Sequence, residues 1–131
     1  MRVAVDTNVL VRVVVRDDLK QAEAAEQMMA DAELVAVALP SLCEFVWVLR
    51  KVYGLTSTDV AEAIRALLNV AKVEVNRPAA EAGLAILDAG GDFADGVIAF
   101  EGSWLGADSF VSFDKKAVAL LQAQGMQARL L

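Results

Sequence analysis

Histidine is absent from these 131 residues, and that absence removes more chemistry than any other feature of the chain. Without imidazole there is no Ser-His-Asp or Cys-His triad, no histidine acid–base pair and no histidine-containing zinc site. Any metal must sit among oxygen donors, which favours magnesium, manganese or calcium. A single cysteine, Cys43, excludes an intramolecular disulfide and suits a reducing compartment, so the cytoplasm is the expected location. Long hydrophobic runs are also missing. The longest uncharged stretch, Ala117 to Ala128, has 12 residues and three glutamines, against about 18 to 20 apolar residues for a membrane crossing. Asp6 likewise interrupts Val3-Ala4-Val5 before a signal-peptide core can form. No membrane association is expected. Basic residues are in deficit, 12 against 18 acids for a net charge of −6. That balance opposes general nucleic-acid affinity, unless the acids are concentrated in a site.

What is present is core-forming material. Hydrophobic residues make up 57% of the chain, enough for a single compact domain over residues 1–131, without repeats or linkers. The two prolines, Pro40 and Pro78, fall at expected element boundaries. Arg2 to Asp6 reads as a buried first strand, and Thr7 to Val15 and Leu19 to Ala32 as helices. The unbroken apolar run Leu34 to Leu39 predicts a strand buried on both faces. Ser41 to about Tyr53 and Thr56 or Ser57 to about Asn69 are predicted helices, and Val73 to Val75 a short strand. Further on come helices from Pro78 to about Ala89, Asp95 to about Trp104 and Lys115 to Gln124. Ser109 to Phe113 is a strand, and Gln127 to Leu131 adds an edge strand. Strands alternating with helices indicate an α/β domain, a mainly parallel sheet flanked by helices in three layers.

Functional groups of such sheets gather beyond the carboxyl ends of the strands. Asp6 ends the first strand, and Asp114 ends the SFVSF strand. Glu44 lies in the first turn of the helix after LVAVAL, and Asp92 and Asp95 open the helix after Gly90-Gly91. Crowded carboxylates repel unless a cation or proton compensates. A divalent ion held there would polarise a phosphate and lower the pKa of a bound water. Taken singly, each acid also has a purely structural reading as a helix cap. Ser41-Leu42-Cys43-Glu44 matches a capping box, and Asp92 holds the cap position before Asp95. Trp47, Trp104 and the phenylalanines read as core or interface. Cys43 reads as a buried small apolar group, and Arg12, Arg16, Arg50, Lys51, Lys115 and Lys116 as solvated charges.

The segments VAVDTNVLVR, PSLCEFVWVLRKVYGL, GGDFADGVIA and FVSFDKKA, in this order and spacing, resemble PIN-domain ribonucleases, and among them the VapC toxins of toxin–antitoxin pairs. The resemblance spans essentially the whole chain. It implies a three-layer PIN-like α/β/α fold, magnesium with manganese as substitute, and endonucleolytic cleavage of RNA. It also implies a homodimer and a cognate VapB-type antitoxin. Carried over by position, Asp6, Glu44, Asp95 and Asp114 are the catalytic and metal-binding acids, with Asp92 as an extra one. Thr7 and Asn8 would orient Asp6 or hold its turn, and Ser112 stands where the family has threonine. Gly96 stands where alanine is commoner. A haloacid-dehalogenase phosphatase would need an aspartate where Asn8 stands. A receiver domain would need an aspartate after LVAVAL, and a catalytically silent PIN scaffold would lack an acid from the set.

Overall fold

The computed structural model describes residues 1–131. The chain folds into two compact units, Met1–Asn76 and Arg77–Leu131. In the first, β1 (Arg2–Ala4), β2 (Leu34–Ala36) and β3 (Val73–Glu74) form a parallel sheet in that order. The register pairs Val3 with Val35 and Val35 with Val73. The crossover from β1 to β2 carries α1 (Thr7–Val14) and α2 (Leu19–Asp31). The crossover from β2 to β3 carries α3 (Leu39–Lys51) and α4 (Ser57–Leu68).

Helical periodicity sets which faces are buried. On α3 the buried residues are Leu42, Phe45, Val46 and Leu49, spaced i, i+3, i+4, i+7. Val60, Ala61, Ile64 and Leu68 form the equivalent stripe on α4. A polar clamp joins α1, the start of α2 and the turn that follows α3. The Arg12 guanidinium of α1 donates to Asp17 at 2.6 Å, to Gln21 at 2.7 Å and to the Tyr53 hydroxyl at 3.3 Å. Tyr53 in turn donates to Asp17 at 3.2 Å, and Arg16 pairs with Glu26. Arg12 and Arg16 are therefore structural cations rather than freely solvated ones.

Two local expectations are corrected here. The LVAVAL run is not a strand throughout. It leaves the sheet after Ala36, and α3 begins at Leu39 with Pro40 in its first turn, where a missing N–H costs no intrahelical bond. Nor is β2 sealed on both faces. Val35 and Val37 are buried, whereas Leu34 and Ala36 remain partly exposed.

The second unit runs α5 (Arg77–Asp88), α6 (Phe93–Trp104), β4 (Phe110–Ser112), α7 (Lys115–Ala123) and β5 (Ala128–Leu130). β4 and β5 pair in parallel, Phe110 with Ala128 and Ser112 with Leu130, and α7 is the crossover. Every strand pairing in the chain is thus parallel, as an α/β fold requires. The core here is Ile86, Ala99 and Leu121, covered by Phe110, Leu120, Met126 and Ala128.

α5 ends in a Schellman turn. The Gly91 amide donates to the Ile86 carbonyl at 2.8 Å and the Gly90 amide to Leu87 at 3.0 Å. Gly90 has φ +92°, the left-handed conformation that lacks a Cβ penalty only for glycine. This turn reverses the chain so that α6 returns against α5, and the two helices touch backbone to backbone. A Cβ on Gly96 would stand 2.3 Å from the Ala82 carbonyl oxygen and 2.8 Å from the Gly83 Cα. A Cβ on Gly83 would meet the buried Phe93 ring at 2.6 Å. Glycine at position 96, a helix-weakening choice when read from sequence, is what the close crossing requires.

Gly96→Ala tests this balance. Alanine gains about 1 kcal/mol of helix propensity, but its methyl meets backbone that cannot swing aside, and overpacking costs about 1–3 kcal/mol. A net loss of stability is expected in urea unfolding. An unchanged or raised midpoint would show that α5 and α6 separate at no cost.

Candidate active site

Each unit gathers its own set of acids. In the first, Asp6 is the N-cap of α1, and its Oδ1 accepts the Thr7 amide at 2.7 Å. Thr7 is the one buried polar residue of the chain, and its hydroxyl donates to Oε2 of Glu44 at 3.3 Å. One threonine therefore holds both acids, Asp6 through its backbone and Glu44 through its side chain. The sequence places Thr7 beside Asp6 alone, because 37 positions separate it from Glu44. Asn8 is exposed and lines a groove of about 310 Å³ with Arg12, Gln21 and Met28.

The capping-box reading of Glu44 does not hold. The N-cap of α3 is Ala38, with no side-chain hydrogen bond. Ser41 lies inside the helix, and Glu44 is in the second turn, beyond reach of the cap. Glu44 is exposed, so its carboxylate has no fold-building role at the helix start. Glu74, at the end of β3, also belongs to this edge. It lines a groove of about 380 Å³ with Ala4, Val5, Ala36, Val37 and Ala38. Its position one residue before the end of the Val73–Val75 run was the signal in the sequence.

In the second unit, Asp92 caps α6, its Oδ1 accepting the Ala94 amide at 3.2 Å. Asp114 caps α7, its Oδ1 accepting the amides of Lys116 at 2.9 Å and Ala117 at 3.1 Å. Ser112 supports Asp114 by accepting that residue's own amide on Oγ at 2.9 Å. α6 starts at Phe93, two residues before the sequence expectation, which places Asp95 in its first turn. Asp95 is half-buried. Burial pushes its carboxyl pKa up, and the charges of Asp92 and then Asp114 push it further in the same direction. The cap readings of Asp6, Asp92 and Asp114 are thus correct as far as they go. Each cap uses Oδ1, leaving Oδ2 outside it.

The donor chemistry fits a hard divalent cation, since every candidate is a carboxylate or hydroxyl oxygen. The raised pKa of Asp95 marks a place where added positive charge is favourable. No three acidic or cysteine side chains stand at metal-holding spacing, so neither set closes around an ion by its own side chains. Among the aromatics, Phe45 and Phe93 are core, whereas Trp47, Trp104 and Phe113 are 59%, 77% and 80% exposed. Trp47 is therefore not a core residue. Cys43 is only partly buried.

The model of the PIN domain family matches residues 3–120, which include both acid sets, and the chain belongs to that family. PIN domains are typically nucleases acting on RNA or DNA. No curated protein matches the chain. No helix is long and apolar enough to cross a membrane.

Two substitutions separate the electrostatic role of these acids from their role as caps. A carboxyl whose pKa is raised on folding contributes stability below its unfolded pKa, and that contribution is lost as pH rises through the folded value. Asp95→Asn removes the penalty, so the metal-free variant should melt above the parent at pH 7, with the gap closing toward pH ~3. A gap that persists in acid would show that charge is not its cause. At the start of α7, Asp114→Ala should cost about 0.5–2 kcal/mol through loss of the cap, while Asp114→Asn, itself a good cap, should keep most of that stability. Equal losses in denaturant titration would contradict the capping role.

Proposed function

We propose that this PIN-domain protein is a magnesium-dependent endoribonuclease, with manganese as substitute, in which Asp6, Glu44, Asp95 and Asp114 hold the metal and Asp92 assists. The observation that carries the reading is the placement of Asp92, Asp95 and Asp114 at the starts of α6 and α7, where burial first, and then the charges of Asp92 and Asp114, push the Asp95 carboxyl pKa up. Together with the oxygen-only donors, it marks acids that need a cation.

A bound divalent ion would supply Lewis-acid polarisation of the phosphodiester and a water of lowered pKa. The chain's residues do the rest. The Thr7 hydroxyl fixes the orientation of Glu44, and its amide fixes Asp6. The Ser112 hydroxyl holds the turn that presents Asp114. Ligands set this way lose little freedom on binding, which is how supporting hydrogen bonds tune a metal site. In the hydrolysis, water adds to phosphorus, a P–O bond breaks and the leaving ribose oxygen takes up a proton.

The four-segment resemblance to VapC toxins supports the finer assignment. On that reading the protein is the toxin of a toxin–antitoxin pair, cytoplasmic and homodimeric, and restrained by a VapB-type antitoxin that covers the acids.

The decisive comparison is parent protein against Asp6→Asn on a pool of structured RNAs, with magnesium, with manganese and with chelator. Asparagine keeps the shape and the cap but loses the charge. Several kcal/mol of lost charge stabilisation corresponds to roughly 100-fold or more in rate, so cleavage should vanish in the variant and in chelator. Equal cleavage by both proteins would expose a contaminant. Magnesium should also raise the melting temperature of the parent, and less so of Asp6→Asn and of Asp95→Asn. A shift left unchanged by either substitution would remove that residue from the metal's ligands.

A further inference from the structure

Phe93 opens α6 between Asp92, which caps the helix, and Asp95 in the same first turn, and its side chain is fully buried. The ring lies on Gly83 of α5. A Cβ there would come within 2.6, 2.7 and 2.9 Å of three ring carbons. Gly83 is a helical residue without positive φ, so glycine stands there for space and not for conformation. Glycine weakens a helix interior relative to alanine, and the ring is what the position accommodates. Three residues further along the same face, Gly96 lies against the Ala82 carbonyl and the Gly83 Cα. These two contacts fix both the height and the rotation of the first turn of α6 on α5. The helix that Asp114 caps is seated in the same manner, since a Cβ on Gly91 would meet Leu120 of α7 at 2.5 Å. Asp95 needs such fixing. The charges of Asp92 and Asp114 act on it in its half-buried place, and a turn free to rotate would relieve that repulsion by moving the carboxylate toward water.

We infer that Phe93 is a positioning residue: seated on Gly83, its ring holds Asp95 where a small divalent cation requires it. The inference rests on the ribonuclease reading and adds to it the device that favours magnesium over calcium. Phe93 and Asp95 are two residues apart, about 200° around the helix, so ring and carboxylate leave it on nearly opposite sides. Packed carbon atoms stand about 3.5–4.0 Å apart, so a methyl at position 83 lifts the ring, and the turn that carries it, by about 1 Å. Functional constellations are held to within about 0.5 Å. Magnesium demands near-ideal octahedral coordination at short distances, whereas calcium accepts more oxygens in flexible geometry. A displaced Asp95 therefore harms magnesium binding more than calcium binding. A core residue without this role would lower stability and leave the preference alone.

The test sets magnesium and calcium binding by calorimetry beside urea unfolding, in the parent, Gly83→Ala, Phe93→Leu and the double variant. Gly83→Ala should weaken magnesium binding roughly 10- to 100-fold and calcium binding less than about 3-fold. Phe93→Leu removes the ring but keeps an apolar side chain, and should change the two affinities in the same sense. In the double variant the methyl fills space that the ring vacates. Residues in contact are not additive, so magnesium affinity should return to within about 5-fold of the parent. As a control, Ile64→Val in the fully buried stripe of α4 should lower the urea midpoint with the ratio of affinities unchanged. Magnesium and calcium affinities that fall by one common factor would make Phe93 an ordinary core residue and refute the inference. Magnesium affinity untouched in both single variants would refute it too, with the ribonuclease reading left standing. A parent that binds no magnesium would overturn the ribonuclease reading, and the inference with it. Should Gly83→Ala not fold, Phe93→Leu decides through the same ratio.

Discussion

A carboxylate at the start of a helix is the interaction on which this molecule is built, and it does two things at once. The first N–H groups of a helix have no partner within it, and the helix end carries partial positive charge. Asp6, Asp92 and Asp114 satisfy those groups for α1, α6 and α7. The side chains that let these helices begin are therefore the same ones that form the acid sets. Because each cap uses Oδ1, structure and chemistry share a residue without competing for the same oxygen.

The cost of that economy falls on Asp95. It caps nothing, stands half-buried in the first turn of α6, and meets the charges of Asp92 and Asp114. A fold tolerates such a group when surrounding contacts fix it there. Those contacts are the backbone approach of α5 and α6 at Gly83 and Gly96, and the Schellman turn at Gly90 that brings α6 back. In the first unit, Thr7 plays the comparable part for Asp6 and Glu44, and the Arg12 clamp ties α1 to the turn that follows α3.

Much of this was legible in the residues. The alternation of short apolar runs with amphipathic segments located every strand and helix, because burial of one face imposes its own period on the sequence. The acids at element starts stood out for the same local reason. Boundaries were less legible where two local rules compete. Leu39 continues an apolar run but also precedes a proline suited to a helix's first turn, and the helix takes it. Glu44 looked like half of a capping box only while Ser41 was placed at the cap.

The sequence by itself determined the absence of imidazole chemistry, the oxygen-only donor set, the α/β alternation and which acids open helices, since composition and near-neighbour spacing decide these. Tertiary structure alone decided three things. It paired Thr7 with Glu44 across 37 positions, made glycine obligatory at position 96 through contact with another helix, and left Trp47 in solvent rather than in the core. The physical reason is common to all three. Each depends on which surfaces meet at long range, and a pattern of hydrophobicity records that a face is buried without recording what lies against it.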